Sequence, residues 1–123
     1  MRFARNVFRF AGWYGLAVMV PMFFLEERIG LDLPPPITHP EFYYGFVSVT
    51  LAWQVAYLVI AQDPARFRPI MIPAILEKTI FGAAAVVLYL QGRIAAPILA
   101  GGVADLLLGV LFAMAYWKTR DAR

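Results

Sequence analysis

The stretch Pro69–Gln91, PIMIPAILEKTIFGAAAVVLYLQ, runs for 23 residues with charge at only two positions, Glu77 and Lys78. About 20 apolar residues rising 1.5 Å each cross a hydrocarbon core of roughly 30 Å, so this stretch reads as a transmembrane helix. A bilayer core offers the backbone no hydrogen-bond partner, and barrel strands of about 9–11 residues are far shorter than this run. Helix is therefore the only spanning conformation open to it.

Working outward, three more apolar runs carry the same signature: Phe10–Leu25, Phe42–Ala61 and Ile94–Trp117. The whole chain of 123 residues is 62% hydrophobic and only 15% charged, with the charges clustered between the runs. Soluble domains hold about 45–50% apolar residues, so the natural solvent here is lipid. The expectation is an all-α membrane protein, one domain over residues 1–123, built as a four-transmembrane-helix bundle. The connections around Arg66 and Arg93 are short, which predicts that the second, third and fourth spans pack as antiparallel neighbours in up-down-up-down order.

Orientation follows from the basic residues. Arg2, Arg5, Arg9, Arg66, Arg68, Lys118, Arg120 and Arg123 fall on one side, whereas only Arg28 and Arg93 fall on the other. Lys and Arg accumulate in cytoplasmic segments, so both termini are expected in the cytoplasm. The first run follows three arginines, but no small-residue cleavage pattern succeeds it, and it reads as a retained anchor extended by a snorkelling Arg9.

The segment Glu26–Glu41 carries Glu26, Glu27, Asp32 and Glu41 around Pro34-Pro35-Pro36, and reads as a stiff, acidic outer loop. His39 among these carboxylates follows no metal-ligand spacing; His39-Pro40-Glu41 reads instead as the start of the second span, and Asp63-Pro64 as its stop. Tyr43, Tyr44, Trp13 and Trp117 lie near span ends, where rings with one polar edge settle at headgroup depth.

Several functions are excluded. Without cysteine there is no disulfide framework, thiolate metal site or thiol nucleophile. The net charge of +3 sits at the ends of apolar runs, where it meets lipid headgroups, so nucleic acid is not an expected partner. No phosphate-binding glycine loop, nucleophile elbow or helical His-Glu-x-x-His is present, and no cofactor or metal is implied.

What remains is a set of polar groups inside the spans. Glu77 and Lys78 fall roughly 12 Å, and Asp105 roughly 17 Å, from the cytoplasmic ends of their helices. Ionisable groups at that depth are costly and mark candidate function. Folding the third and fourth spans about Arg93 brings Lys78 within reach of Asp105 as an ion pair. The same construction about Arg66 sets Gln54 opposite Glu77, with Tyr14 and Tyr57 bordering the level and Trp53 beside it. Adjacent helix positions point about 100° apart, so Glu77 needs a partner other than that of Lys78: Gln54, a tyrosine, water or a proton. Pro73, one turn before Glu77, is expected to bend the third helix at this layer, and Pro21 to bend the first.

The ordinary alternative is that these groups satisfy one another and fix helix register. In the fourth span Ala96, Ala100 and Ala104 form one stripe, with Gly101 and Gly109 beside it, a pattern that lets helices approach closely within the bundle or between copies.

Leu25-Glu26-Glu27-Arg28-Ile29-Gly30, His39-Pro40-Glu41-Phe42-Tyr43-Tyr44-Gly45, Asp63-Pro64 with Arg66 and Arg68, and Leu76-Glu77-Lys78 follow in an order that resembles small bacterial four-helix integral membrane proteins. The resemblance covers nearly the whole chain. It implies a bacterial inner (plasma) membrane location and carries over no activity. In outline the chain is also similar to DoxX-like proteins and, more distantly, to the four-helix sterol-isomerase and sigma-2-receptor superfamily, whose pockets use intramembrane acids and aromatics.

Three functions are consistent with these residues. One is a binding protein holding a hydrophobic small molecule or lipid around Glu77, Lys78, Asp105, Gln54, Trp53, Tyr14 and Tyr57; an isomerase would be a variant of it. The second is an accessory or structural subunit that assembles with itself or a larger membrane complex through the small-residue stripe. The third is a proton-coupled small transporter, opposed by the fixed positive charge of Lys78 beside Glu77.

Overall fold

The computed structural model describes residues 1–121 and is all helical. Arg123, counted above among the basic residues of the C-terminal end, lies outside the described residues. Five α-helices follow in order: α1 (Arg2–Met22), α2 (Glu26–Asp32), α3 (Pro40–Gln62), α4 (Met71–Leu90) and α5 (Ala96–Lys118), with a 3-10 turn at Arg68–Ile70 leading into α4.

Three helical stretches, Pro40–Gln62, Arg68–Leu90 and Ala96–Lys118, are long and apolar enough to cross a membrane. α1 and α2 meet that standard only as a pair, and the pair is bent by 90°. In each of the three, 28% of the most apolar window is buried. The remaining residues form an apolar outer surface, on which Phe10, Trp13, Phe42, Ile80, Leu90, Leu107 and Trp117 are all exposed. Water would not tolerate that surface, whereas lipid tails do.

The helices associate as two close pairs, α1 with α3 and α4 with α5. Glycine makes both seams. On α4 and α5 a Cβ at Gly82 would fall 2.5 Å from Leu106 Cγ and 2.8 Å from the Gly102 carbonyl, so no side chain fits there. On α1 a Cβ at Gly12 would lie 2.9 Å from the Gln54 carbonyl of α3. Without a hydrophobic drive between helices in lipid, such close approach supplies the dispersion contacts that hold them together. The two pairs join through α1 and α5, where Phe8 and Phe112 stack with centroids 4.2 Å apart. α3 and α4 meet at few points, so the intimate contact expected between the second and third spans is slight.

Arginine ties the helix ends together. Arg5 Nε donates to the Ala61 carbonyl at the end of α3 (3.3 Å), and Arg68 Nη2 donates to the Tyr116 carbonyl near the end of α5 (2.8 Å). The last four carbonyls of a helix have no partner of their own and carry negative partial charge, so a cation from a neighbouring helix satisfies both needs. Lys118 lies over the Phe3 ring at 4.7 Å, which places the last turn of α5 beside the first turn of α1.

Three expectations need correction. The acidic segment is not all loop: Glu26–Asp32 is helix α2, with Glu26 and Glu27 in its first turn and an Arg28–Asp32 ion pair of 3.0 Å one turn apart. Acidic residues in the first turn and an i,i+4 pair both favour helix over an irregular loop. The helix that carries the first apolar run begins ahead of that run, at Arg2, because Ala4, Phe8, Ala11, Gly15 and Met19 form one buried stripe that includes its charged first turns. Pro21 lies in the final turn of α1, where the chain leaves the helix rather than bending within it. Pro73 likewise falls in the first turn of α4, where a missing N–H would have no intrahelical partner in any case. The start of α3 at Pro40 and its end at Gln62, capped by Asp63, stand where the sequence puts them.

Candidate functional site

The site begins with Lys78, the seventh residue beyond the start of α4 and thus roughly 10 Å along it. Its side chain is only 5% exposed. A buried ammonium needs compensation, and three groups supply it: Asp105 Oδ1 of α5 at 3.5 Å, Glu77 Oε2 at 4.0 Å, and the face of the Tyr57 ring at 5.2 Å from Nζ. Gly109 of α5 makes room for this arrangement, since a Cβ there would lie 2.8 Å from Thr79 Cγ2 and 3.5 Å from Lys78 Cβ.

Tyr57 of α3 is fully buried and donates its hydroxyl hydrogen bond to Glu77 Oε1 at 3.0 Å. Below the pair, Phe112 meets Tyr57 edge-on at 4.9 Å and stacks on Phe8. Tyr57, Glu77, Lys78 and Asp105 therefore form one array, drawn from α3, α4 and α5, on an aromatic floor contributed by α1 and α5. The carboxylates remain partly open, at 18% for Glu77 and 21% for Asp105. The Tyr57–Glu77 bond and the Phe46–Phe81 ring contact, 5.8 Å between centroids, bridge α3 to α4 along their thin seam.

The Lys78–Asp105 pair stands as expected from folding the third and fourth spans about Arg93. Gln54 does not face Glu77. It packs against α1, where a Cβ on Gly15 would overlap its amide, and its Nε2 donates to the Thr50 carbonyl at 2.8 Å. Its Oε1 is buried without a conventional hydrogen-bond partner, facing the Gly15 Cα hydrogen, a weak C–H donor. The cause is that α3 packs along α1: Gln54, one turn before Tyr57 and about 60° round the helix from it, meets Gly15 of α1, while Tyr57 reaches Glu77 of α4. Tyr14 is also outside the array: it lies on the outer side of α1, exposed, stacked on Phe10 at 5.8 Å. Trp53 is half-buried, its ring 6.3 Å from that of Tyr57, and borders the layer.

Phe8 and Phe112 were not singled out by sequence reasoning, although both are completely buried and floor the site. The available signal was the spacing Ala4, Phe8, Ala11, Gly15, a seam of period near 3.5 within a helix that otherwise shows arginines. The stripe on α5 divides. Gly109 faces inward, Ala96, Ala100 and Gly101 stay exposed, and the close approach to α4 runs through Gly102 and Gly109 instead.

Two clefts lie away from the array. One sits between the α1–α2 break and the proline segment, with Phe23, Glu26, Glu27, Gly30, Pro36 and Tyr44 among its walls. The other runs along the outer face of α1. Among the described residues no group of three or more His, Cys, Asp or Glu is placed to hold a metal ion. No family model, curated protein or solved structure matches this chain.

Proposed function

We propose that this protein crosses a bacterial plasma membrane four times in up-down-up-down order, with both termini cytoplasmic, and binds a hydrophobic small molecule or lipid at the Tyr57–Glu77–Lys78–Asp105 layer. α1 serves as the fourth span, its apolar run lengthened by Arg9 reaching to the interface. The observation that carries the reading is a charge surplus. Two carboxylates share one ammonium, and both are partly open while the ammonium is closed off. A pair that only fixed register would need one acid; the second is a group left over for a guest with a hydrogen-bond donor or a charge of its own. Entry is lateral, from the bilayer, between α3 and α4, where side chains rather than backbones bridge the helices.

Native mass spectrometry of the protein released from a mild detergent tests this directly. A monomer with a defined retained mass is expected, and Glu77→Gln should reduce that occupancy while circular dichroism and elution volume stay unchanged. Equal occupancy in the folded variant would sink the reading.

A second reading, assembly with other copies or a larger complex, draws support from the outward position of Ala96, Ala100 and Gly101, the last with nothing within 4 Å of where its Cβ would stand. Ala100→Leu should then disperse the assembly, and an unaltered oligomer removes the idea. A proton-coupled carrier would use the same surplus carboxylate; pH-driven uptake into vesicles that ignores Glu77→Gln disposes of it.

A further inference from the structure

The cytoplasm-directed arginines do not all have the same task. Arg5 and Arg68 are committed to helix-end carbonyls, Arg66 and Arg120 lie over the rings of Phe67 and Trp117, and Lys118 lies over Phe3. Among the described residues Arg2 and Arg9 have no such partner. They stand seven positions apart on α1, two turns, and therefore on one face. That face is opposite the buried stripe Ala4, Phe8, Ala11 and Gly15, so no helix among the described residues covers it.

Asn6 lies between the two arginines, and the cleft on this face is lined by Asn6, Arg9, Phe10, Trp13 and Tyr14. Phe10 and Tyr14 form a flat wall, their rings within 10° of parallel, and Trp13 is 62% exposed beside them. Moving along the helix away from its N-terminus, the face thus passes from two cations and an amide to three aromatic rings.

We infer that this face of α1 is a binding site for one anionic phospholipid of the adjacent leaflet. Arg2, Asn6 and Arg9 would hold the phosphate and the net negative charge, and Phe10, Trp13 and Tyr14 would pack along the first part of an acyl chain. Charge complementarity selects this occupant. A second copy docked in parallel on the same face would set Arg2 and Arg9 against identical cations, and a zwitterionic lipid would leave their charge uncompensated. The site is separate from the intramembrane layer and does not depend on its function.

The test is native mass spectrometry of the full chain in detergent, titrated with phosphatidylglycerol or phosphatidylcholine of the same acyl chains, counting lipids retained per polypeptide. The wild type is expected to retain one phosphatidylglycerol in preference to phosphatidylcholine. Arg9→Gln should lower that retention roughly fivefold, the loss of one cation at the headgroup surface. Arg9→Lys should keep most of it, and Arg66→Gln, which removes an equal charge elsewhere at that end, should leave it unchanged. Trp13→Ala should weaken retention of both lipids. Equal retention of the two lipids by the wild type overturns the inference even if a variant fails to fold. A folded Arg9→Gln that still prefers phosphatidylglycerol overturns it as well, as does equal loss in Arg66→Gln. A dimer that excludes lipid, dispersed by Trp13→Ala, would assign the face to a second copy instead.

Discussion

The Tyr57 hydroxyl donates to Glu77 Oε1 at 3.0 Å, joining the α1/α3 pair to the α4/α5 pair across the α3–α4 seam, where the helices otherwise meet at few points. Because Lys78 Nζ also lies over the Tyr57 ring, this one side chain touches both charges of the Glu77-Lys78 dipeptide, one through its edge and one through its face. A phenylalanine at the same place would keep the ring and lose the hydroxyl.

Tyr57→Phe is therefore expected to destabilise the protein by about 1.5–3 kcal/mol, the worth of a hydrogen bond to a charged group. Thermal unfolding in detergent followed by circular dichroism would measure it. A midpoint equal to that of the wild type would mean that the Glu77 carboxylate finds water as good a partner.

Removing the ammonium alone should cost more than removing all the charge. Lys78→Met leaves Glu77 and Asp105 facing each other without a cation, a loss of about 3–5 kcal/mol for a broken buried pair. The triple change Lys78→Met, Glu77→Gln, Asp105→Asn should recover a large part of that loss. If the triple variant is no more stable than Lys78→Met, the array is not an electrostatic unit.

The two adjacent glycines of α5 should respond in opposite ways. At Gly102 a Cβ would overlap Ala85 of α4, so Gly102→Ala forces the helices apart and should cost about 1–3 kcal/mol. At Gly101 a Cβ meets nothing within 4 Å, so Gly101→Ala should be neutral or stabilising by up to about 1 kcal/mol through helix propensity. Paired melting curves decide it, and a destabilising Gly101→Ala would show that this face is covered by something outside the chain.

Arg66 and Arg68 are two residues apart and carry the same charge, which separates contact from charge. Arg68 donates to the Tyr116 carbonyl and to Thr119 Oγ1 (3.2 Å) and lies 3.8 Å from the Tyr116 ring centroid. Arg68→Gln should lower stability by about 2 kcal/mol, whereas Arg66→Gln, at an exposed position, should stay within about 0.5 kcal/mol. Equal effects on unfolding midpoint would assign both to charge alone.

Sequence alone determined the features set by local composition. The expectation of a lipid solvent rests on apolar runs of about 20 residues, and in lipid the helical state follows because the backbone has no alternative. The Lys78–Asp105 pair was legible too, since the short turn near Arg93 leaves α4 and α5 one way to lie side by side. Only the tertiary structure decided which other helices pair. Spans that are apolar all round, with 28% of their windows buried, do not reveal by hydropathy which face points inward. Fit between backbones chooses that, through Gly12 and Gly15 against α3 and through Gly82, Gly102 and Gly109 between α4 and α5. Once α3 lies along α1, Gln54 turns away from Glu77 and Tyr57 takes its place, an exchange settled by close packing rather than by polarity.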